Sequence, residues 1–501
     1  MVQKLLFLKV VYWIFKGGGS LNNGCITAEN TFIKGNGVSL YNLYMNLTNT
    51  VFIDNVHLTY SNATKDSITC FTSKHINICN VTIDVDDNDF QAYEVDGIHI
   101  ESSCNITISN CLFYRTKSNY VDSSQGAIFI KESSNINIEG CRAFDVKAEC
   151  FTVENSTYIN FSNCYIENSD GSALVVNYCN NVNIVNCSAV NTEASGFSIN
   201  SNNVNIVNCN IKNNKLFNAI TLGHAGIPVI NASVQNCIID TEKSAFGGVI
   251  GGKIIISNNI IKCDTLCGFD IHEQNGEFLF NENAVSGTSS DWRISLSEWN
   301  VIINDNILDN AGTGTGYLKN SVVTLHNNTF KNYTKPFIKF NSAQKELNIK
   351  NNQFKDCDFS AISEDMSLIE IENAVSVNIT NNQAYNIVSA SRLNFYNMRV
   401  PTNVMGNIQN NYINLPIIGI AFRIYNTSEN NNKIILRGNT VLCSNSNGLI
   451  YYPDEFTQWE IIDNLVNGVY KGTNPDGSSQ PSIYYIYNES DFDFFMGFVY
   501  R

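Results

Sequence analysis

A short phrase of alternating apolar and polar residues recurs along nearly the whole chain. It reads Ile106-Thr107-Ile108-Ser109-Asn110-Cys111, Ile136-Asn137-Ile138-Glu139-Gly140-Cys141 and Val182-Asn183-Ile184-Val185-Asn186-Cys187. Later it reads Leu347-Asn348-Ile349-Lys350-Asn351-Asn352 and Val377-Asn378-Ile379-Thr380-Asn381-Asn382. The sixth residue falls at 36, 56, 81, 111, 141, 164, 187, 209, 237, 259, 283, 306, 328, 352, 382, 411, 439 and 464, a mean step of about 25 residues. Period two within the phrase predicts a strand with one buried face. The remainder of each step has room for two more short strands and three turns, and it lacks helical periodicity. A chain that makes short strands, turns and returns to the same place is a parallel β-helix, here an all-β solenoid of about 18 coils.

The sixth position then forms a column running from coil to coil. Cys111, Cys141, Cys164, Cys187, Cys209 and Cys237 occupy it first; Asn259, Asn283, Asn306, Asn328, Asn352, Asn382, Asn411 and Asn439 follow. Asn at a turn tolerates unusual dihedrals and can bond the Asn above and below. Cys there is a small, weakly polar filler. Both columns are expected to be structural ladders.

The coil length, the Ile-x-Ile-x-x-Asn/Cys phrase and the Asn column resemble the right-handed, single-stranded parallel β-helix of the pectate-lyase-like superfamily, over about residues 28–470. That group includes polysaccharide lyases, polygalacturonase-type hydrolases and many phage tailspikes. The resemblance implies a protein that binds or degrades polysaccharide, on a virion tail or at an extracellular or cell-surface location. The alternative is a non-catalytic adhesin or structural rod, because ladders carry stacking and not chemistry. Residues 1–27 read as a first-rung strand or N-terminal cap, and 471–501 as an aromatic cap or an oligomerisation segment, such as a homotrimer interface.

Composition narrows the partners. The net charge is −15, from 31 Lys and Arg against 46 Asp and Glu. The basic residues are scattered, which disfavours nucleic acid. No stretch is long and clean enough to span a membrane as a helix. Sixteen Cys invite a disulfide framework. Six of them lie in the predicted buried column, though, and a solenoid with this much core needs no staples. Met1–Lys16 reads as a strand rather than a signal peptide, because Lys9 interrupts its apolar run.

A solenoid shows its site by departing from its repeat. The steps from 81 to 111 and from 111 to 141 are the first long pair. Insertions on one face often make a binding face. The first loop carries Asp84, Asp86, Asp87, Asp89, Glu94 and Asp96; the second carries Asp122, with Arg115 and Lys117 nearby. Aligning coils on the Ile-x-Ile phrase stacks Asp96 over Gly126 over Glu149 over Ser172. Asp96 and Glu149 then stand two rungs apart, about 9–10 Å by strand spacing, near the upper limit for an inverting glycosidase pair. They are the candidate acid and base, with Asp122 or Asp170 as further candidates. His99, Arg115 and Lys147 are candidate substrate-binding residues.

Val95-Asp96-Gly97-Ile98 resembles the Asp-Gly-Ile piece of polygalacturonase-type hydrolases. Later coils depart from that pattern, with Ala148-Glu149-Cys150 and Ala194-Ser195-Gly196 where a paired Asp and a Gly-His-Gly are expected. Asp84, Asp86, Asp87 and Asp89 supply hard oxygen ligands for Ca²⁺, the one cofactor suggested; the other reading is no cofactor, with the acids as solvated turns. A second surface, 352–439, carries Tyr385, Arg392, Tyr396, Arg399 and Tyr412, suited to stacking on sugar rings or to packing on the coils. Trp292 and Trp299 form another aromatic patch with the same two readings.

Overall fold

A computed structural model describes residues 2–7, 10–15, 21–60, 66–85, 96–116, 126–224, 228–271, 275–287, 292–311, 314–334, 338–362, 366–389, 393–398, 403–415, 419–424, 432–443, 450–451, 457–467, 469–471, 483–486 and 495–498. Strands are the only regular elements among them. Two compact units are formed, Met1–Gly251 and Gly252–Arg501.

In Met1–Gly251, a hairpin of Val2–Phe7 and Val10–Phe15 precedes the coils, and its second strand runs parallel to Leu21–Tyr60. The Ile-x-Ile phrases then pair in parallel and in register: Ile108 with Ile138, Ile138 with Phe161, Phe161 with Ile184, and Ile184 with Ile206. Within Gly252–Arg501 the phrases pair in the same way: Phe280 with Ile303, Ile303 with Leu325, Leu325 with Ile349, and Ile349 with Ile379. Each of these apolar side chains is buried, and each stabilises the coil by about 1.5–3 kcal/mol. No coil buries this row alone, so the core exists only where coils stack.

The fold is the expected parallel β-solenoid, with about 14 turns rather than about 18. The phrases at 36 and 56 both lie in the single run Leu21–Tyr60, and the one at 464 sits where the chain turns back antiparallel against Val469–Lys471. Two segments of the tail, Ile483–Ile486 and Phe495–Phe498, form an antiparallel hairpin. Among the described residues no helix is long and apolar enough to cross a membrane.

The unusual backbone lies one residue earlier than the pattern suggested. Positive φ falls on the fifth residue of the phrase, as in Asn110 (52°), Asn163 (55°), Asn327 (55°) and Asn381 (57°). Asn tolerates this left-handed region and Gly140 (62°) reaches it without a Cβ penalty. That residue turns the chain, and the sixth is driven inward. All six column thiols are buried.

Candidate functional site

The strand register sets out the site. Ile68 pairs with Ile98, Ile98 with Ile128, Ile128 with Phe151, and Phe151 with Leu174. Two residues before each stand Asp66, Asp96, Gly126, Glu149 and Ser172, so the column expected from the sequence is extended by Asp66. Lys65-Asp66-Ser67-Ile68 repeats the Asp-x-Ile signal of the next coil, which could have revealed it.

Asp96 has no exposed surface. Its backbone N–H donates to Asp66 Oδ1 at 2.8 Å, and its own Oδ1 accepts from the Gly126 N–H at 2.8 Å. A Cβ on Gly126 would lie 1.7 Å from the Glu149 carbonyl oxygen, so only glycine allows this approach. The second oxygens of both carboxylates face one imidazole nitrogen: His99 Nδ1 is 3.0 Å from Asp66 Oδ2 and 3.3 Å from Asp96 Oδ2. Phe71 and Phe129 flank the ring, with centroids at 5.8 and 5.0 Å. The three donor atoms lie within 4.8 Å of one another, a set able to hold a metal ion.

Burial pushes the Asp96 carboxyl up to about 7, against the lowering effect of its contact with His99. Burial also works against a charged His99 ring. The two carboxylates that face its Nδ1, Asp66 first and then Asp96, outweigh that and raise it to about 10. At neutral pH the ring is therefore a cation held by acids. Glu149 is likewise raised to about 7, first by burial and then by the charge of Glu154.

The outward rows of these coils run Thr69, His99, Phe129, Thr152 and Phe71, Glu101, Lys131, Glu154. Three buried polar atoms here have no hydrogen-bond partner: Asp96 Oδ2, His99 Nε2 and Thr152 Oγ1. His99 Nε2 has only a long 3.9 Å approach to Glu101. Orphaned buried polar atoms are uncommon in folded proteins and mark places where a ligand, ion or strain is accommodated.

The other candidates are distributed differently. Lys147 pairs with Asp170 at 3.4 Å. They line a cleft of about 330 Å³ with Asp145, Asn168, Glu193 and Lys215, and neither Asp96 nor His99 contributes to it. Arg115 is bonded to Asp84 and, through Nε, to the Val85 carbonyl at 3.1 Å. Its charge is therefore engaged at one edge. Asp86, Asp87, Asp89, Glu94, Lys117 and Asp122 lie outside the described residues, as do Arg392 and Arg399.

Of the two readings of the surface over 352–439, packing on the coils holds for Tyr396. Tyr396 is completely buried and packs in the core, Tyr385 OH approaches Gln353 Oε1 at 3.4 Å, and Tyr412 is exposed. Trp299 is also buried, so it packs inside the coils rather than on an exposed patch.

A family described as "Right handed beta helix region" matches residues 74–240, which include Asp96, His99 and Glu149. No curated protein sequence matches the chain. Among solved structures, the surface adhesin PfbA of Streptococcus pneumoniae aligns at 10% identity and a TM-score of 0.29, covering 92% of each chain. Tailspike protein 3 of bacteriophage CBA120 aligns at 12% identity and a TM-score of 0.29, covering 93% of this chain and 61% of its own. The family 28 exopolygalacturonase of Yersinia enterocolitica aligns at 9% identity and a TM-score of 0.20, covering 86% and 73%. The in-register coils and the segment matched over 74–240 together show the fold, a right-handed parallel β-helix.

Proposed function

We propose that this protein engages a polysaccharide across the outward face formed by His99, Glu101, Phe129, Lys131, Glu149 and Glu154. The observation that carries the reading is the concentration of orphaned buried polar atoms on that face, beside a carboxyl raised to about 7 at Glu149. An aromatic ring, a cation and several carboxylates on one sheet face are the groups that recognise hydroxyl-rich rings.

Glu149 is the group suited to general-acid work, since it keeps its proton near neutrality. Glu154, whose charge helps hold that proton, is the carboxylate left to act as base or nucleophile. Asp96 does not touch a polymer, because it has no exposed surface. Its role is to orient His99, whose cationic ring suits a carboxylate of the polymer or a developing oxyanion. Hydrolase and lyase chemistry both fit this set. The same reading puts the protein on a virion tail or cell surface, with the aromatic tail as the surface through which a homotrimer would form. The full burial of Asp96 favours one rival, a non-catalytic adhesin or rod in which the column only braces the coils.

The test is a depolymerase and binding screen on bacterial-capsule and plant polysaccharides, comparing wild type with Glu149→Gln. Reducing ends and absorbance of unsaturated products are read together. Cleavage lost in the variant, with binding retained, supports the acid role, and the absorbance separates lyase from hydrolase. Binding without cleavage in the wild type selects the adhesin reading. Cleavage that persists in Glu149→Gln moves the chemistry away from this face.

A further inference from the structure

We propose that Asp66, Asp96 and His99 bind one divalent transition-metal ion. The site is built before any ion enters. Asp66 Oδ1 is held by the Asp96 N–H and Asp96 Oδ1 by the Gly126 N–H, each at 2.8 Å. Each carboxylate is thereby oriented, and each turns its remaining oxygen toward His99 Nδ1. Such outer hydrogen bonds are the usual means of fixing metal ligands.

One imidazole N–H does not serve two acceptors well. The shorter contact, 3.0 Å, goes to Asp66 Oδ2, and Asp96 Oδ2 is left buried at 3.3 Å without a hydrogen bond. Two carboxylates of like charge held this close need more positive charge than a single ring supplies. A divalent ion in place of the Nδ1 proton serves all three donors at once. The donor–donor spacings of 3.0 and 3.3 Å match the edges of a coordination shell whose bonds are about 2.0–2.2 Å. One nitrogen and two carboxylate oxygens suit Zn²⁺, Mn²⁺ or Co²⁺ better than Ca²⁺, which takes an all-oxygen set of six to eight. Access exists, since Asp66 and His99 side chains keep 21% and 16% of their surface.

This site is distinct from the Asp84–Asp89 loop that the sequence suggested for Ca²⁺. It joins two adjacent coils, so occupancy should clamp them and raise thermal stability. Binding releases the Nδ1 proton to solvent, together with any proton carried by the Asp96 carboxyl.

The experiment is titration of the full chain with Co²⁺ in the absence of polysaccharide, followed by visible absorption and calorimetry in two buffers. The expected result is one saturable site, ligand-field bands without thiolate charge transfer, at least about one proton released per ion, and displacement by Zn²⁺. Asp66→Asn retains the Oδ1 acceptor for the Asp96 N–H and should weaken binding at least about tenfold. Asp170→Asn should not change it. Absence of a saturable site, a thiolate band, or undiminished binding in Asp66→Asn overturns the proposal. If Asp66→Asn does not fold, the wild-type spectrum and proton count decide alone. Because no polymer is present, failure of the polysaccharide reading leaves this result untouched.

Discussion

From Cys111 to Cys237, in Met1–Gly251, the inner corner of the coil is filled by a thiol; from Asn259 to Asn464, in Gly252–Arg501, it is filled by a carboxamide. The two occupy one slot. Asn306 Nδ2 donates to the Phe280 carbonyl of the preceding coil and to the Asn304 carbonyl of its own, both at 2.9 Å. Cys209 Sγ approaches the equivalent carbonyls, Ile184 and Val207, at 3.6 and 3.4 Å. From the other side, the Asn283 N–H donates to Asn306 Oδ1 at 2.9 Å, and the Cys209 N–H to Cys237 Sγ at 3.4 Å. The backbone thus dictates the slot, and the side chain decides how tightly it is satisfied. The amide bonds run unbroken from Asn259 to Asn464. Sulfur makes the same links longer and weaker.

The largest effect should come from breaking the amide ladder. Asn306→Ala orphans the Asn283 N–H and two carbonyls in a dry interior, at about 1–3 kcal/mol for each group left unsatisfied. Urea unfolding should show a loss of about 3–5 kcal/mol. Asn306→Cys should lose clearly less, because sulfur refills the slot; equal losses would show that the two ladders are not interchangeable.

Next is a pH effect specific to the thiol-ladder unit. His99 is raised from 6.5 to about 10, so its stabilisation is complete below pH 6.5 and fades as pH rises toward 10. Asp96 and Glu149 are raised to about 7, so their ionisation costs stability as pH rises from about 4 to 7. Both trends have the same sign. Opening free energies from hydrogen exchange over Met1–Gly251, after division by the intrinsic base-catalysed rate, should be larger at pH 5 than at pH 9 by up to a few kcal/mol. His99→Asn should flatten the upper part of that profile. A profile unchanged in this variant would separate the ring from the stability of its unit.

Smaller still is the cost of truncating a thiol. Cys187→Ala removes a small buried group and weak bonds, for about 1–2 kcal/mol, and a loss matching that of Asn306→Ala would break the contrast. The least perturbing test is chemical. Cys209 is pushed up to about 12, chiefly by its neighbour Cys187, and Cys150 to about 12 by burial. Such thiols are unreactive. A disulfide reagent at pH 8 should modify exposed Cys25 quickly and the ladder thiols only on unfolding.

Column membership was legible because a solenoid makes register a nearest-neighbour property. Each Ile-x-Ile phrase meets the one a coil away, so aligning the phrases placed Asp96 over Gly126 over Glu149 without any knowledge of the whole. The turn backbone was less legible. Asn fills both the fifth and sixth positions of many phrases, and composition does not say which one takes the positive φ. The site was legible only as a neighbourhood. The Ile98 alignment found Asp96 and put His99 on the outward face, yet Asp66 escaped it, because the step across its coil is ordinary in length and its loop is not acid-rich.

The sequence by itself determined the parallel solenoid, the alternation that buries one face, and the two ladders, since all three follow from periodic local preferences repeated coil after coil. Only the tertiary structure decided that Asp96 is sealed from solvent, that Asp66 and Asp96 converge on one ring nitrogen, that Arg115 is bound to Asp84, and that Tyr396 lies in the core. Those outcomes depend on side-chain direction and coverage near loops of unequal length, where the repeat no longer applies and distance along the chain says little about distance in space.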